Sequence, residues 1–95
     1  MRAPTHPGAL LREEVIPAMG ISISEFARKI GVSRQMLHRI LAESHGITTE
    51  MSLRIGKFVG NGPGIWLRMQ QAYDLWFMKN ELASELEEIQ QHPVA

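Results

Sequence analysis

Apolar residues recur along this chain at helical spacing, and no segment shows the sustained two-residue alternation of a strand. The first such stretch predicts a helix from about Pro7 to Ile16, with Leu10, Leu11 and Val15 on one side. Pro7 suits a first helical turn, and Pro17 with Gly20 is expected to close the element. A second helix is predicted from Ile23 to Ile30. Ser22 and Glu25 have the spacing of a capping box, and Gly31 is placed to terminate the helix in a left-handed turn. Ser33 is the cap of a third helix running from Arg34 to about Ala42. Beyond the polar loop Glu43-Ser44-His45-Gly46, Thr48 opens a fourth from Thr49 to about Val59, offering Met51, Leu53, Ile55 and Phe58 to a core. Gly60-Asn61-Gly62-Pro63-Gly64 is the strongest break, with Pro63 expected at the start of a fifth helix. The periodicity continues from Ile65 through Phe77, and a thinner stripe of Leu82, Leu86 and Ile89 carries on toward Pro93. The expectation is a single all-α domain over 1–95, with five helices, a possible sixth, and an extended C-terminal helical segment over about 63–91. The first five or six residues and the last four are expected to fray.

Composition adds bounds to this picture. Leu, Ile, Val and Phe supply 25 of 95 residues, above the ~20% below which disorder becomes the better expectation. With no cysteine, neither disulfides nor thiolate metal sites can staple the fold. No apolar run approaches the ~18 residues of a membrane span, and Met1 to Leu11 has no signal-peptide core. A cytosolic domain is expected. The balanced total charge hides an asymmetry: residues 20–60 sum to +3 and residues 61–95 to −3, which suggests two surfaces with different partners.

The chemistry concentrates in residues 23–42. Two helices crossing at about 90–120° need a small residue at their contact, which Ala27 provides, and a turn that tolerates positive φ, which Gly31 provides. Phe26, Ile30, Val32, Leu37 and Ile40 occupy the positions such a helix-turn-helix buries; Arg28, Lys29, Ser33, Arg34, Gln35, His38 and Arg39 lie between them. An ordinary αα-hairpin would want the same turn and stripes, but leaves the polar outer face of the second helix unexplained. In a helix entering the major groove, Arg34, Gln35, His38 and Arg39 would reach base edges: arginine pairs with guanine O6/N7, and glutamine with adenine N6/N7. Ser33 with its helix start, Thr48 and Thr49 are candidate phosphate ligands. For Thr48, simple capping is the competing role, and for Arg28 and Lys29, simple solvation.

Taken together, His6-Pro7-Gly8, the stretch Phe26 to Leu41, Ile47-Thr48-Thr49-Glu50-Met51 with Leu53-Arg54, and Trp66-Leu67, Gln70 and Tyr73-Asp74-Leu75-Trp76 resemble the HigA/VapI family of bacterial antitoxin-repressors, a branch of the Xre/Cro-like regulators. The likeness covers roughly residues 6–80. It departs at Ala9, where the family often has an acid, at Ala42-Glu43 in place of Asn-Gly, and at Gly62-Pro63-Gly64 in place of Ser-Pro-Glu. The resemblance implies a five-helix lambda-repressor-like domain, located in the bacterial cytoplasm, that dimerises on double-stranded operator DNA and represses its own operon. It also implies a cognate toxin of the HigB type, similar to the RelE-like mRNA interferases, neutralised by direct binding. A stand-alone repressor, or an interaction module that has lost DNA binding, remains open.

Trp66, Met69, Tyr73 and Trp76 form one helical face, with Phe77 and other large residues beside it. A helix apolar on more than one side needs more than one thing to pack against: the domain core, a second subunit, or both. The Leu82, Leu86, Ile89 seam lies among Glu81, Glu85, Glu87 and Glu88. It either folds back on its own domain or meets a basic partner. No enzyme reading survives. His6, His38, His45 and His92 lack the spacing of a metal motif, Glu13 and Glu14 point apart, and Gly60, Gly62 and Gly64 follow a helix rather than a strand. No cofactor, metal, small-molecule substrate or membrane partner is expected.

Overall fold

The computed structural model describes residues 2–93, so Met1, Val94 and Ala95, part of the termini expected to fray, lie outside the described residues. It contains six helices and, among the described residues, no strand. Helix α1 (7–19) is a rod of three pieces, Pro7–Leu10, a π-helical Leu11–Val15 and Ile16–Met19; α2 is Ile23–Ile30, α3 Arg34–Leu41, α4 Thr49–Val59, α5 Gly64–Glu81 and α6 Ala83–Glu87.

Pro17 does not close α1, contrary to expectation. Proline lacks an N–H and presses on the carbonyl four residues back. The turn before it is widened into a π turn, in which the Ile16 N–H reaches the Leu11 carbonyl. In an α-helix, residues five apart point about 140° away from each other. The π turn closes that gap, so Leu11 and Ile16 both enter the core while Leu10 and Val15 are only half-buried. The helix ends at Gly20, where φ is +68°.

Ser22 accepts from the Glu25 N–H at 3.1 Å. The Glu25 carboxylate turns instead toward Arg28 (3.7 Å), so only half of the expected capping box forms. Gly31 adopts φ +76°, as the turn between α2 and α3 requires. Phe26, Ala27, Ile30, Leu37 and Ile40 are all buried, while Val32 packs at the edge of the core. On α4 the core-facing residues are Met51, Ser52, Ile55 and Gly56, with Phe58 at the rim against Phe26. Leu53, expected inside, is 55% exposed; it lies two positions from Ile55, on the opposite side of the helix. Gly56 carries no side chain because the Gly62–Pro63 backbone lies directly on it.

Trp66 is the largest buried side chain, 1% exposed, and its indole N–H donates to Asn61 at 3.0 Å. Beyond Trp76, α5 leaves the body of the domain, and the molecule measures 53 × 26 × 24 Å. The helix breaks at Leu82. Residues 77–93 are all exposed, and the tail does not fold back on the domain. Its apolar side chains, Leu82, Leu86 and Ile89, are spaced singly among four glutamates and form only a narrow stripe.

Candidate nucleic-acid interface

Two side chains hold the helix-turn-helix unit in shape, and sequence reasoning assigned neither a role. The Arg54 guanidinium on α4 donates to the Ile30 carbonyl at 2.9 Å and to that of Gly31 at 3.4 Å, and pairs with Glu50 at 3.0 Å. Arg12 on α1 donates to the Leu41 carbonyl at 2.6 Å and pairs with Glu43 at 3.3 Å. Each cation sits where a helix C-terminus presents unpaired carbonyls and the negative end of its dipole. Arg54 thus closes α2 and Arg12 closes α3. Glu43 carries φ +64° at a position where the resembling family usually has Asn-Gly. A left-handed non-glycine residue costs about 1–2 kcal/mol, and its ion pair with Arg12 offsets part of that.

The structure brings the four expected base readers onto one surface. Arg34, Gln35, His38 and Arg39 are all exposed on α3, opposite the buried Leu37, Ile40 and Leu41. Ser33 accepts from the Met36 N–H at 3.0 Å, and Thr48 from that of Met51 at 3.2 Å. Both hydroxyls therefore cap helices through their oxygens while keeping an O–H to donate outward. Thr49, Arg28 and Lys29 are exposed as well. Ser24, in the first turn of α2, was not singled out from the sequence; its hydroxyl accepts from Arg34 at 3.1 Å and tethers the guanidinium over the start of α3.

Ion pairing sharpens the charge asymmetry. All three acids of the middle segment are engaged: Glu25 with Arg28, Glu43 with Arg12, and Glu50 with Arg54. Among the described residues this leaves Lys29, Arg34, Arg39 and Lys57 as the uncompensated positive charges of that segment.

The expected dimer residues divide. Trp66 is consumed by the domain's own core, Met69 packs against that core, and Tyr73 lies edge-on to His6 with ring centroids 4.8 Å apart. Trp76 is half-buried, and Phe77 is exposed with its ring tilted 40° against that of Tyr73 at a centroid distance of 4.5 Å. Leu75 is 71% exposed, with Met78 exposed beyond it.

His6, expected in a loose terminus, is 3% exposed. Its Nδ1 accepts from the Gly8 N–H at 2.9 Å and caps α1. Burial lowers its pKa below the ordinary 6.5, against the opposing pull of Glu43 and Asp74 and with a smaller lowering by Arg12. Among the described residues, no three His, Asp or Glu side chains converge on a possible metal position, and no helix is long and apolar enough to cross a membrane.

The family model described as helix-turn-helix matches residues 11–66. Virulence-associated protein I of Dichelobacter nodosus is 41% identical over 70 residues, covering 74% of this chain and 65% of that protein, just under two thirds of its length. Antitoxin HigA-1 of Vibrio cholerae is 30% identical over 84 residues, covering 88% of this chain and 79% of that protein. Among solved structures, antitoxin GraA in complex with its operator superposes with a TM-score of 0.87 at 37% identity, covering 100% of this chain and 95% of that one.

Proposed function

The chain belongs to the helix-turn-helix family, in the group of HigA- and VapI-type regulators, and from that premise we propose that it is a DNA-binding antitoxin. It binds operator DNA as a dimer, represses its own operon and neutralises a cognate toxin by direct contact. The observation that carries this reading is the recognition face. Arg34, Gln35, His38 and Arg39 stand exposed along one helix whose capped start adjoins uncompensated positive charge. An αα-hairpin built only for packing has no use for that face. Ser33, Thr48, Thr49, Arg28 and Lys29 take the phosphates, which fixes the register. The similar GraA structure was solved with its operator, which supports the same docking.

Dimerisation follows from the free end of α5. Leu75, Phe77 and Met78 are exposed on a helix that projects past the domain, and a second copy covers them. Two recognition helices must stand about 34 Å apart on B-DNA, and a shared α5 interface sets that distance. Toxin neutralisation rests on the likeness to antitoxins. The acidic seam of Leu82, Leu86 and Ile89 is the surface we assign to a basic toxin, so truncation after Asn80 is expected to weaken toxin binding.

The deciding experiment is a salt-titrated anisotropy assay on the DNA upstream of the gene, with random DNA of equal length as control. Tight, strongly salt-dependent binding with a protected palindrome is expected. Equal, weak binding to both DNAs would reject operator recognition and leave a protein-interaction module.

A further inference from the structure

The turn His6-Pro7-Gly8 is among the most buried stretches of the molecule. It touches two elements that barely touch each other, the recognition helix α3 and the C-terminal helix α5. Toward α3, the Gly8 backbone lies so close to Ile40 that a side chain at position 8 would overlap the Ile40 carbonyl. Toward α5, the His6 ring meets Tyr73 edge-to-face at 4.8 Å and 80°. Between these contacts, the bond from the Gly8 N–H to His6 Nδ1 at 2.9 Å holds the turn in shape. An imidazole accepts at Nδ1 only when neutral, with its proton on Nε2.

We propose that His6 is a positioning residue for operator recognition: its neutral ring fixes the angle between the recognition helix and α5, and so the separation of the two recognition helices in the dimer. The inference rests on the reading of the chain as a dimeric operator-binding protein. Protonation removes the acceptor that caps α1 and places a cation against the Tyr73 ring, in a site closed to water. The wedge then loosens, and the half-site distance is no longer held. The groups facing the ring are Arg12 on α1, Glu43 beyond α3, and Asp74 with the Tyr73 phenol on α5. The two carboxylates favour the charged ring, but burial outweighs them and lowers the pKa below the ordinary 6.5.

The test compares the upstream operator DNA, its half-sites mapped by footprinting, with the same DNA carrying one extra base pair between the half-sites. Anisotropy gives the ratio of the two affinities from pH about 7.5 down to below the His6 midpoint that NMR titration of the ring locates. A change of charge that acts on both DNAs alike cancels in the ratio. For the wild-type protein the preference for the natural spacing is expected to fall severalfold toward acid. His6→Asn, whose Oδ1 can take the place of Nδ1 and does not titrate, is expected to keep a constant preference. NMR titration of the ring adds a second readout that needs no variant: the midpoint of the lost preference must coincide with His6. A wild-type ratio that does not change, an equal fall in a folded His6→Asn, or a midpoint matching another histidine would overturn the proposal. Failure of the wild-type protein to prefer operator over random DNA at the higher pH would instead reject the functional reading, and this inference with it.

Discussion

Gln70 on α5 accepts the Ile47 N–H at 2.7 Å and donates its own amide hydrogen to Asp74 at 3.0 Å. The side chain is 5% exposed and reaches across to the strand-free segment that leads into α4. Gly46, next to it, has no room for a Cβ without pressing on the Gln70 amide at 3.0 Å. Gln70→Leu keeps the bulk but leaves the buried Ile47 N–H unpaired, at a cost of about 1–3 kcal/mol. Urea unfolding measures it. A loss below a few tenths would mean that water reaches the Ile47 amide.

Gly31 and Arg54 act as a pair. Gly31 has φ +76°, and a Cβ there would stand 2.8 Å from the Arg54 guanidinium. Gly31→Ala is therefore expected to destabilise by strain and by displacing the Arg54 clamp. Arg54→Ala removes the hydrogen bonds to the Ile30 and Gly31 carbonyls. The two substitutions share one interaction, so their costs combine to less than their sum, by about 0.5 kcal/mol or more. A double-mutant cycle in denaturant checks it; strict additivity contradicts the shared mechanism.

Arg34→Ala or Gln35→Ala is expected to cost about 1–3 kcal/mol on the operator and to relax base preference at one position per half-site. Ser24→Ala frees the Arg34 guanidinium from its 3.1 Å tether and should weaken operator binding by less than Arg34→Ala does. Binding to operator variants distinguishes the roles. Equal weakening on operator and random DNA would make Arg34 a phosphate contact.

Leu75→Glu combined with Met78→Glu places two charges on the free face of α5, where both residues are exposed. Sedimentation is expected to show a monomer whose domain still folds, because neither side chain belongs to the core. Operator affinity should drop steeply, since each half-site is then bound alone. A dimer that survives both charges would place the subunit contact elsewhere.

The His6 pKa also predicts how stability varies with pH. Burial lowers it in the folded state below the unfolded value of 6.5. Above that value both states hold a neutral ring and the contribution is constant. As pH falls from 6.5 toward the folded value, the unfolded chain takes up the proton first and stability is lost. His6→Asn should show a shallower loss over that window in pH-dependent urea melts, and an identical slope would show that other groups dominate.

Most helix limits were legible in the chain because they are set locally. Ser22, Ser33 and Thr48 each cap the helix that follows, and Gly31 and Gly60 each end one, through contacts reaching no more than four residues. The same holds for the polar outer face of α3, which the spacing of Leu37 and Ile40 leaves no choice but to expose. Pro17 misled for a complementary reason: its effect on α1 depends on whether the preceding turn can widen, and burial of both Leu11 and Ile16 rewards that widening.

The roles that only the tertiary structure decided all belong to long-range contacts. Arg54 meets Ile30 across 24 positions, Arg12 meets Leu41 across 29, and Gln70 meets Ile47 across 23. Nothing in the periodicity of any one helix announces such a partner, because the pattern records which side is apolar and not what lies opposite. His6 is the clearest instance. In the chain it is one polar residue near an end; in the fold it is a buried cap between α1 and Tyr73. Leu53 and Leu75 are the reverse, apolar residues the domain leaves outside, because one helix has a single core-facing side and the other outruns the core. Local hydrogen bonding and periodicity were enough to make this a helix-turn-helix chain. Which charges stay free, which apolar surface is left over and what locks the recognition helix in place were settled only when the helices packed.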